Sequence, residues 1–97
     1  MRRRYILSYD VSEPKRLRLM HRLAKGFGAP LQYSVFLCIL GRADRVRLAT
    51  AIADLIDCKR DRVILLDIGF DRDDSWLPNL EVFGRQAVAR TRGVLLG

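Results

Sequence analysis

The sequence predicts an α+β sandwich in the order β-α-β-β-α-β, with an extra strand near the C-terminus. Three observations predict it. Apolar blocks rich in β-branched and aromatic residues fall at 5–9, 31–40 and 62–68. Two stretches of helical period separate them. The middle block is long for one strand and carries Ser34 inside it, so it divides into two. A chain of 97 residues holds one two-layer core and no more. It is therefore read as a single domain over residues 1–97, with a core of about 3–68 and an extension over 69–97.

The first strand covers residues 3–9 and ends at Asp10. Ser12 is the expected N-cap of the first helix, with Glu13 and Pro14 in its first turn, where acid and proline are tolerated. Gly26 and Gly28 end that helix near Phe27, and Pro30 forbids its continuation. Two strands follow, 30–33 and 34–40, with a tight turn or bulge near Ser34. Gly41 breaks the run. A second helix spans about Arg42 to Ile56, with Leu48, Ile52, Leu55 and Ile56 on one face. Residues 62–68 form the next strand. Gly69 to Asn79 reads as an acidic loop containing Pro78. Leu80 to Phe83 reads as a short further strand. Val94-Leu95-Leu96 is too apolar to stand in water without a partner. This order and these lengths suit a sandwich of ferredoxin-like type, one antiparallel sheet with two helices on one face. The opposite sheet face then needs cover, and a second copy of the chain is the natural cover. A homodimer packed through the sheets is expected on burial grounds.

Composition narrows the class. No apolar run reaches the roughly 20 residues that cross a bilayer, and the N-terminus lacks a secretory apolar core. No membrane partner is expected, and the default address is the cytoplasm. Cys38 and Cys58 have no CxxC spacing and no neighbouring histidine, and read as reduced structural thiols. The net charge is +7, and it is uneven. Residues 1–49 hold 11 Lys/Arg against 3 Asp/Glu, whereas residues 50–97 hold 7 against 8. Arginine outnumbers lysine 15 to 3, and its planar fork suits bidentate phosphate contact. A polyanionic partner is the simplest reading. A soluble basic protein with an arginine-rich composition is the alternative.

On a helical wheel, Leu17, Met20, Leu23, Ala24 and Phe27 share one side of the first helix. Lys15, Arg18, Arg22 and Lys25 share the other, as a stripe about 15 Å long. The stripe reads either as a track for a phosphate backbone or as a solvated face. Arg16 breaks the pattern and is expected to reach back to Asp10 or to a phosphate; a snorkelling arginine is the alternative. Asp10, at the strand exit, reads either as a ligand for Mg²⁺ or Mn²⁺ or as a partner of Arg16 and the first helix amides. Magnesium keeps most of its waters and often takes only one or two carboxylates. A two-fold dimer with Asp10 near its axis supplies two. Ser34 has no supporting triad. His21 faces neither the core nor the strand end and is read as a boundary residue, which argues against a histidine ribonuclease. The acidic run 71–74 fails the calcium-loop pattern and reads as a solvated loop.

Tyr9-Asp10-Val11, Lys15-Arg16, Gly28 and Gln32-Tyr33-Ser34-Val35-Phe36 together resemble the small CRISPR-associated endonuclease family, the second Cas protein of the spacer-acquisition machinery. The likeness covers roughly residues 4–68. It implies a ferredoxin-like homodimer in which the two Asp10 carboxylates flank a shared divalent metal. It implies hydrolysis of RNA or DNA phosphodiesters, with Tyr9, Arg16, Ser34 and Phe36 completing the site. It also implies a bridging role beside the CRISPR integrase on duplex DNA. The C-terminal strand, Val82-Phe83 or Val94-Leu95-Leu96, is expected to pair with the neighbouring subunit. The chain departs from the family pattern at Pro30, in place of arginine, at Leu37, in place of glutamate, and at Leu19, in place of a basic residue. The missing arginine bears on cleavage more than on binding. Rival readings are an architectural DNA-binding bridge without catalysis and a toxin-like ribonuclease of the same fold. An acylphosphatase is disfavoured, because its arginine-bearing glycine loop is not seen.

Overall fold

A computed structural model describes residues 1–72 and 80–85 in full, and the backbone of 89–91 and 94–96. The elements are β1 (Arg3–Asp10), α1 (Pro14–Phe27), β2 (Gly28–Gln32), β3 (Val35–Leu40), α2 (Arg42–Leu55), β4 (Arg62–Phe70), β5 (Ala89–Thr91) and β6 (Val94–Leu96). The first six give the expected β-α-β-β-α-β order. Their four strands form one antiparallel sheet in the order β2-β3-β1-β4. This is the ferredoxin-like arrangement. Among the described residues no helix is long and apolar enough to cross a membrane.

The period of two along β1 divides the sheet into faces. Tyr5, Leu7 and Tyr9 point toward the helices and join Phe36, Cys38 and Leu40 of β3 in the core. Met20 and Ala24 of α1 and Leu48 and Ile52 of α2 close that core from above. Ile6, Ser8 and Asp10 occupy the opposite face. The register pairs Ile6 with Leu66, Ser8 with Ile64 and Asp10 with Arg62, so these β4 residues lie on that face too. Ile64 is 52% exposed and Leu66 is 55% exposed. A row of aliphatic side chains thus stands in water beside Asp10. Cys38 is buried and Cys58 exposed, and both are free thiols.

Several boundaries move for local reasons. The N-cap of α1 is Glu13, not Ser12. Pro14 has no N–H to satisfy, and the Glu13 carboxylate accepts from the amides of Lys15 (2.9 Å) and Arg16 (2.8 Å). Those two amides hold the Glu13 carboxyl below its usual range. Gly28 ends α1 with extended backbone (φ −158°), a conformation open to any residue. Its reason is space: a Cβ there would stand 2.5 Å from the Leu37 carbonyl oxygen and 2.6 Å from Cys38 Sγ. β2 therefore begins at once, two residues earlier than expected, and Pro30 sits within it. An edge strand tolerates proline. The register slips between Pro30 and Gln32, and Tyr33-Ser34 form the turn to β3. β4 runs two residues further than expected, through Gly69 at φ 104°.

Two expectations for the extension are corrected. Leu80 to Phe83 have no regular secondary structure; with Leu31, Gln32 and Val35 they line a cleft of about 400 Å³. Asp71 is not solvated. Its side chain is 2% exposed and meets Arg4, 7% exposed, at 3.3 Å, while its amide donates to the Arg2 carbonyl. The rest of the acidic loop, 73–79, lies outside the described residues. The tail contributes two short strands where one was expected, and β6 pairs with β5 of the same chain.

Candidate functional site

Asp10 sits where β1 leaves the sheet and Val11 turns inward to a buried position. The carboxylate is exposed, and among the described residues it makes no hydrogen bond or ion pair. Its expected partner is engaged elsewhere. Arg16 grips Asp61, with Nε at 2.8 Å from Oδ2 and Nη2 at 3.3 Å from Oδ1. Nη1 lies 3.8 Å from Glu13. The Asp61 side chain is fully buried and also accepts from the amides of Asp57 (2.9 Å) and Ser12. The reading of Arg16 as reaching toward Asp10 is thus corrected. A buried carboxylate with three kinds of donor outcompetes an exposed one for the guanidinium. The Arg16 fork holds the Asp61 carboxyl below its ordinary range, and Asp61 in turn raises Arg16. Asp61 ties the β1–α1 and α2–β4 connections together beneath Asp10. Nothing in the sequence beyond an aspartate just before a strand pointed to it.

The structure brings Tyr9, Ser34 and Phe36 together. The Tyr9 amide donates to the Ser34 carbonyl at 3.1 Å. The Tyr9 ring stacks on buried Phe36, with centroids 6.3 Å apart. The Tyr9 hydroxyl donates to the Tyr33 carbonyl at 3.1 Å. Burial, with Tyr33 nearby, pushes the Tyr9 phenol up. His21, half-buried at the boundary as the wheel placed it, joins this cluster. Its Nδ1 is 2.9 Å from the Tyr9 hydroxyl, its ring stacks on Tyr33 at 4.8 Å and 17°, and it meets Phe36 edge-on at 5.6 Å. A phenol has one proton to give. With that proton on the Tyr33 carbonyl, the hydrogen-bond network assigns the His21 Nδ1–H as donor to Tyr9.

Lys15, Arg18, Arg22 and Lys25 are all exposed on α1, as the wheel placed them. None makes an ion pair among the described residues. Arg18, Arg22 and Lys25, with His21 and Tyr33, line a shallow depression of about 330 Å³. The four cations on α1 and Asp10 at the β1 exit are therefore separate features linked by Tyr9 and the β2–β3 turn.

Among the described residues no three His, Cys, Asp or Glu side chains gather as a metal site. Asp10 is the donor one chain offers. An open, hard oxygen donor fits Mg²⁺ or Mn²⁺, ions that retain waters and take few carboxylates. Arg16 and Asp61 hold the backbone beneath Asp10 in place. Tyr9 and Ser34 fix the strand against the turn.

Comparison with known proteins bears on the family and the fold. The family model described as CRISPR associated protein Cas2 matches residues 1–75. A CRISPR-associated endoribonuclease Cas2 of Rhodospirillum rubrum is 40% identical over 65 residues, 67% of this chain and 64% of that protein. The matched stretch is thus just under two thirds of that relative's length. A counterpart in Geobacter sulfurreducens is 38% identical over 65 residues, covering 67% of this chain and 68% of that one. The crystal structure of Streptococcus pyogenes Cas2 superposes with a TM-score of 0.69 at 27% identity, covering 84% of this chain and 99% of that chain. The chain belongs to the Cas2 family of CRISPR-associated proteins.

Proposed function

We propose that this chain is a homodimeric, cytoplasmic component of CRISPR adaptation that binds duplex nucleic acid and cleaves phosphodiester bonds at Asp10 with Mg²⁺ or Mn²⁺. The observation that carries the reading is the open Asp10 carboxylate, unpartnered among the described residues, on a sheet face whose neighbours, Ile64 and Leu66, are exposed aliphatics. A second copy laid on this face removes apolar surface from water at roughly 25 cal/mol per Å². It also brings a second Asp10 to the same side. A divalent ion held there would supply an activated water and offset negative charge on the phosphate. The chain's own residues do the rest. Asp10 offers the carboxylate oxygens. Arg16, locked by Asp61, positions the β1 exit, so its expected phosphate contact gives way to a positioning role. Tyr9, Ser34 and Phe36 hold the strand against the turn. Lys15, Arg18, Arg22 and Lys25 take up the phosphate backbone, and their contribution weakens with salt. The names of the relatives, endoribonucleases of the Cas2 type, support a nuclease. Joining the CRISPR integrase as a bridge is part of the same proposal, and co-purification with an integrase tests it.

Asp10→Ala is expected to abolish divalent-dependent cleavage of RNA and DNA probes and to leave duplex affinity within about twofold, since binding rests on the α1 cations. Cleavage that survives in this variant removes Asp10 from the reaction. One observation favours a second reading, an architectural bridge without catalysis. Pro30 is exposed where the resembling family carries arginine, and Leu37 is 1% exposed where it carries glutamate. Duplex binding that ignores EDTA, with no cleavage across a metal and pH series, establishes that reading instead.

A further inference from the structure

The depression beside α1 holds more than charge. Tyr33 occupies the two-residue turn between β2 and β3 and is 64% exposed. Its ring is not loose. One face lies on His21 at 4.8 Å with near-parallel planes, and His21 is itself braced by the Tyr9 hydroxyl and the edge of Phe36. Among the described residues no second ring contact to Tyr33 is made, and its exposure leaves the other face open to a ligand. Three cations, Arg18, Arg22 and Lys25, line the same hollow, and α1 carries no acid to neutralise them. Its volume of about 330 Å³ lies at the small end of ligand pockets.

A planar, oriented aromatic among phosphate-binding cations is the chemistry of a stacking platform for an unpaired base. Bases inside a duplex are already stacked on each other and offer no face to Tyr33. We propose that this depression binds one unpaired nucleotide at the end of a nucleic acid duplex, its base stacked on Tyr33 and its phosphates held by Arg18, Arg22 and Lys25. The inference rests on the nucleic-acid reading above. It adds a site on the helical side of the sheet, with a preference for frayed or overhanging ends over blunt ones.

The test compares a blunt duplex with the same duplex carrying a short 3′ overhang, made in DNA and in RNA, by fluorescence anisotropy at fixed salt. Wild type is expected to bind overhangs more tightly than blunt ends. Tyr33→Ala is expected to weaken overhang binding by about 5- to 100-fold and to bring the overhang-to-blunt ratio near one. Tyr33→Phe keeps the ring and keeps the preference. Arg22→Ala weakens both probes, because Arg22 contacts the phosphates of the duplex as well as of the overhang, and it lowers the salt dependence of binding. Loss with the DNA or the RNA overhang supports the site, and the larger loss identifies the strand. A ratio unchanged in Tyr33→Ala, or absent in wild type, overturns the site while leaving duplex binding intact. A wild type that binds neither probe overturns the site together with the underlying reading. Should the alanine variant lose its far-ultraviolet circular dichroism, Tyr33→Gln, which keeps polar bulk at the turn, carries the same comparison.

Discussion

β4 is bracketed by two aspartates that do similar work at opposite ends and leave different results. Asp61, one residue before the strand, buries its carboxylate against Arg16; Asp71, one residue after it, buries its own against Arg4. The first pair fastens the α2–β4 loop to helix α1, and the second fastens the end of β4 to β1. At the Asp71 end the fastening completes a structure, with the Asp71 amide also held by the Arg2 carbonyl. At the Asp61 end it leaves something over. Arg16 is drawn away from Asp10, and the β1 exit keeps an open carboxylate. Two ion pairs of one kind thus differ in their surroundings: one stands beside an acid that has no partner among the described residues, the other does not.

Substitutions at the two ends separate these roles, and the largest contrast is between Asp10 and Asp71. Asp10→Ala is expected to remove divalent-dependent cleavage with little change in melting temperature. Asp71→Ala is expected to do the reverse. It removes a buried, charge-assisted contact to Arg4 and costs about 1.5–3 kcal/mol in urea unfolding, while any cleavage per folded molecule is expected to persist. A smaller effect is expected from Gly28→Ala. Gly28 pairs with Cys38, which in turn pairs with Tyr5 near the Arg4 end. The added methyl meets a backbone oxygen that cannot swing aside, which costs about 1–3 kcal/mol by the same measurement. The Asp10 end is expected to remain intact.

The smallest effect is one of pH. The Asp61 carboxyl titrates below the ordinary aspartate range because Arg16 and two amides favour its charged form. The stability it contributes is fully present above the unfolded-state value, near 4. It is lost as the pH falls through the lowered folded value. Thermal melts from neutral down to about pH 2 are expected to show this acid limb in wild type and a flatter one in Asp61→Asn. Equal limbs in both proteins would show that the Arg16–Asp61 pair is not the group responsible.

The features legible in the sequence are those in which neighbours in sequence are also neighbours in space. The apolar run over 5–9 marked the first strand and put Asp10 at its exit. The wheel of α1 separated Met20 and Ala24 from the basic stripe. Ser34 inside an apolar run marked the turn. The ion pairs were not legible, because Arg16 and Asp61 are 45 residues apart and Arg4 and Asp71 are 67 apart. An aspartate flanking a strand looks the same whether it faces water or a buried guanidinium. His21 is the boundary residue expected, but its partners were not legible, for a related reason. A wheel gives the direction in which a side chain leaves the helix, and the turn at Tyr33 decides what it meets. Gly28 was recognised as a helix stop, but the packing that requires it lies in β3.

The most direct measurement mixes subunits. Wild-type chain is combined with increasing excess of Asp10→Ala chain, allowed to exchange, and assayed for divalent-dependent cleavage. A site shared between two copies predicts that activity per wild-type chain falls toward zero as mixed pairs replace wild-type pairs. Activity per wild-type chain that stays constant at every ratio would contradict it, because each Asp10 would then be acting alone.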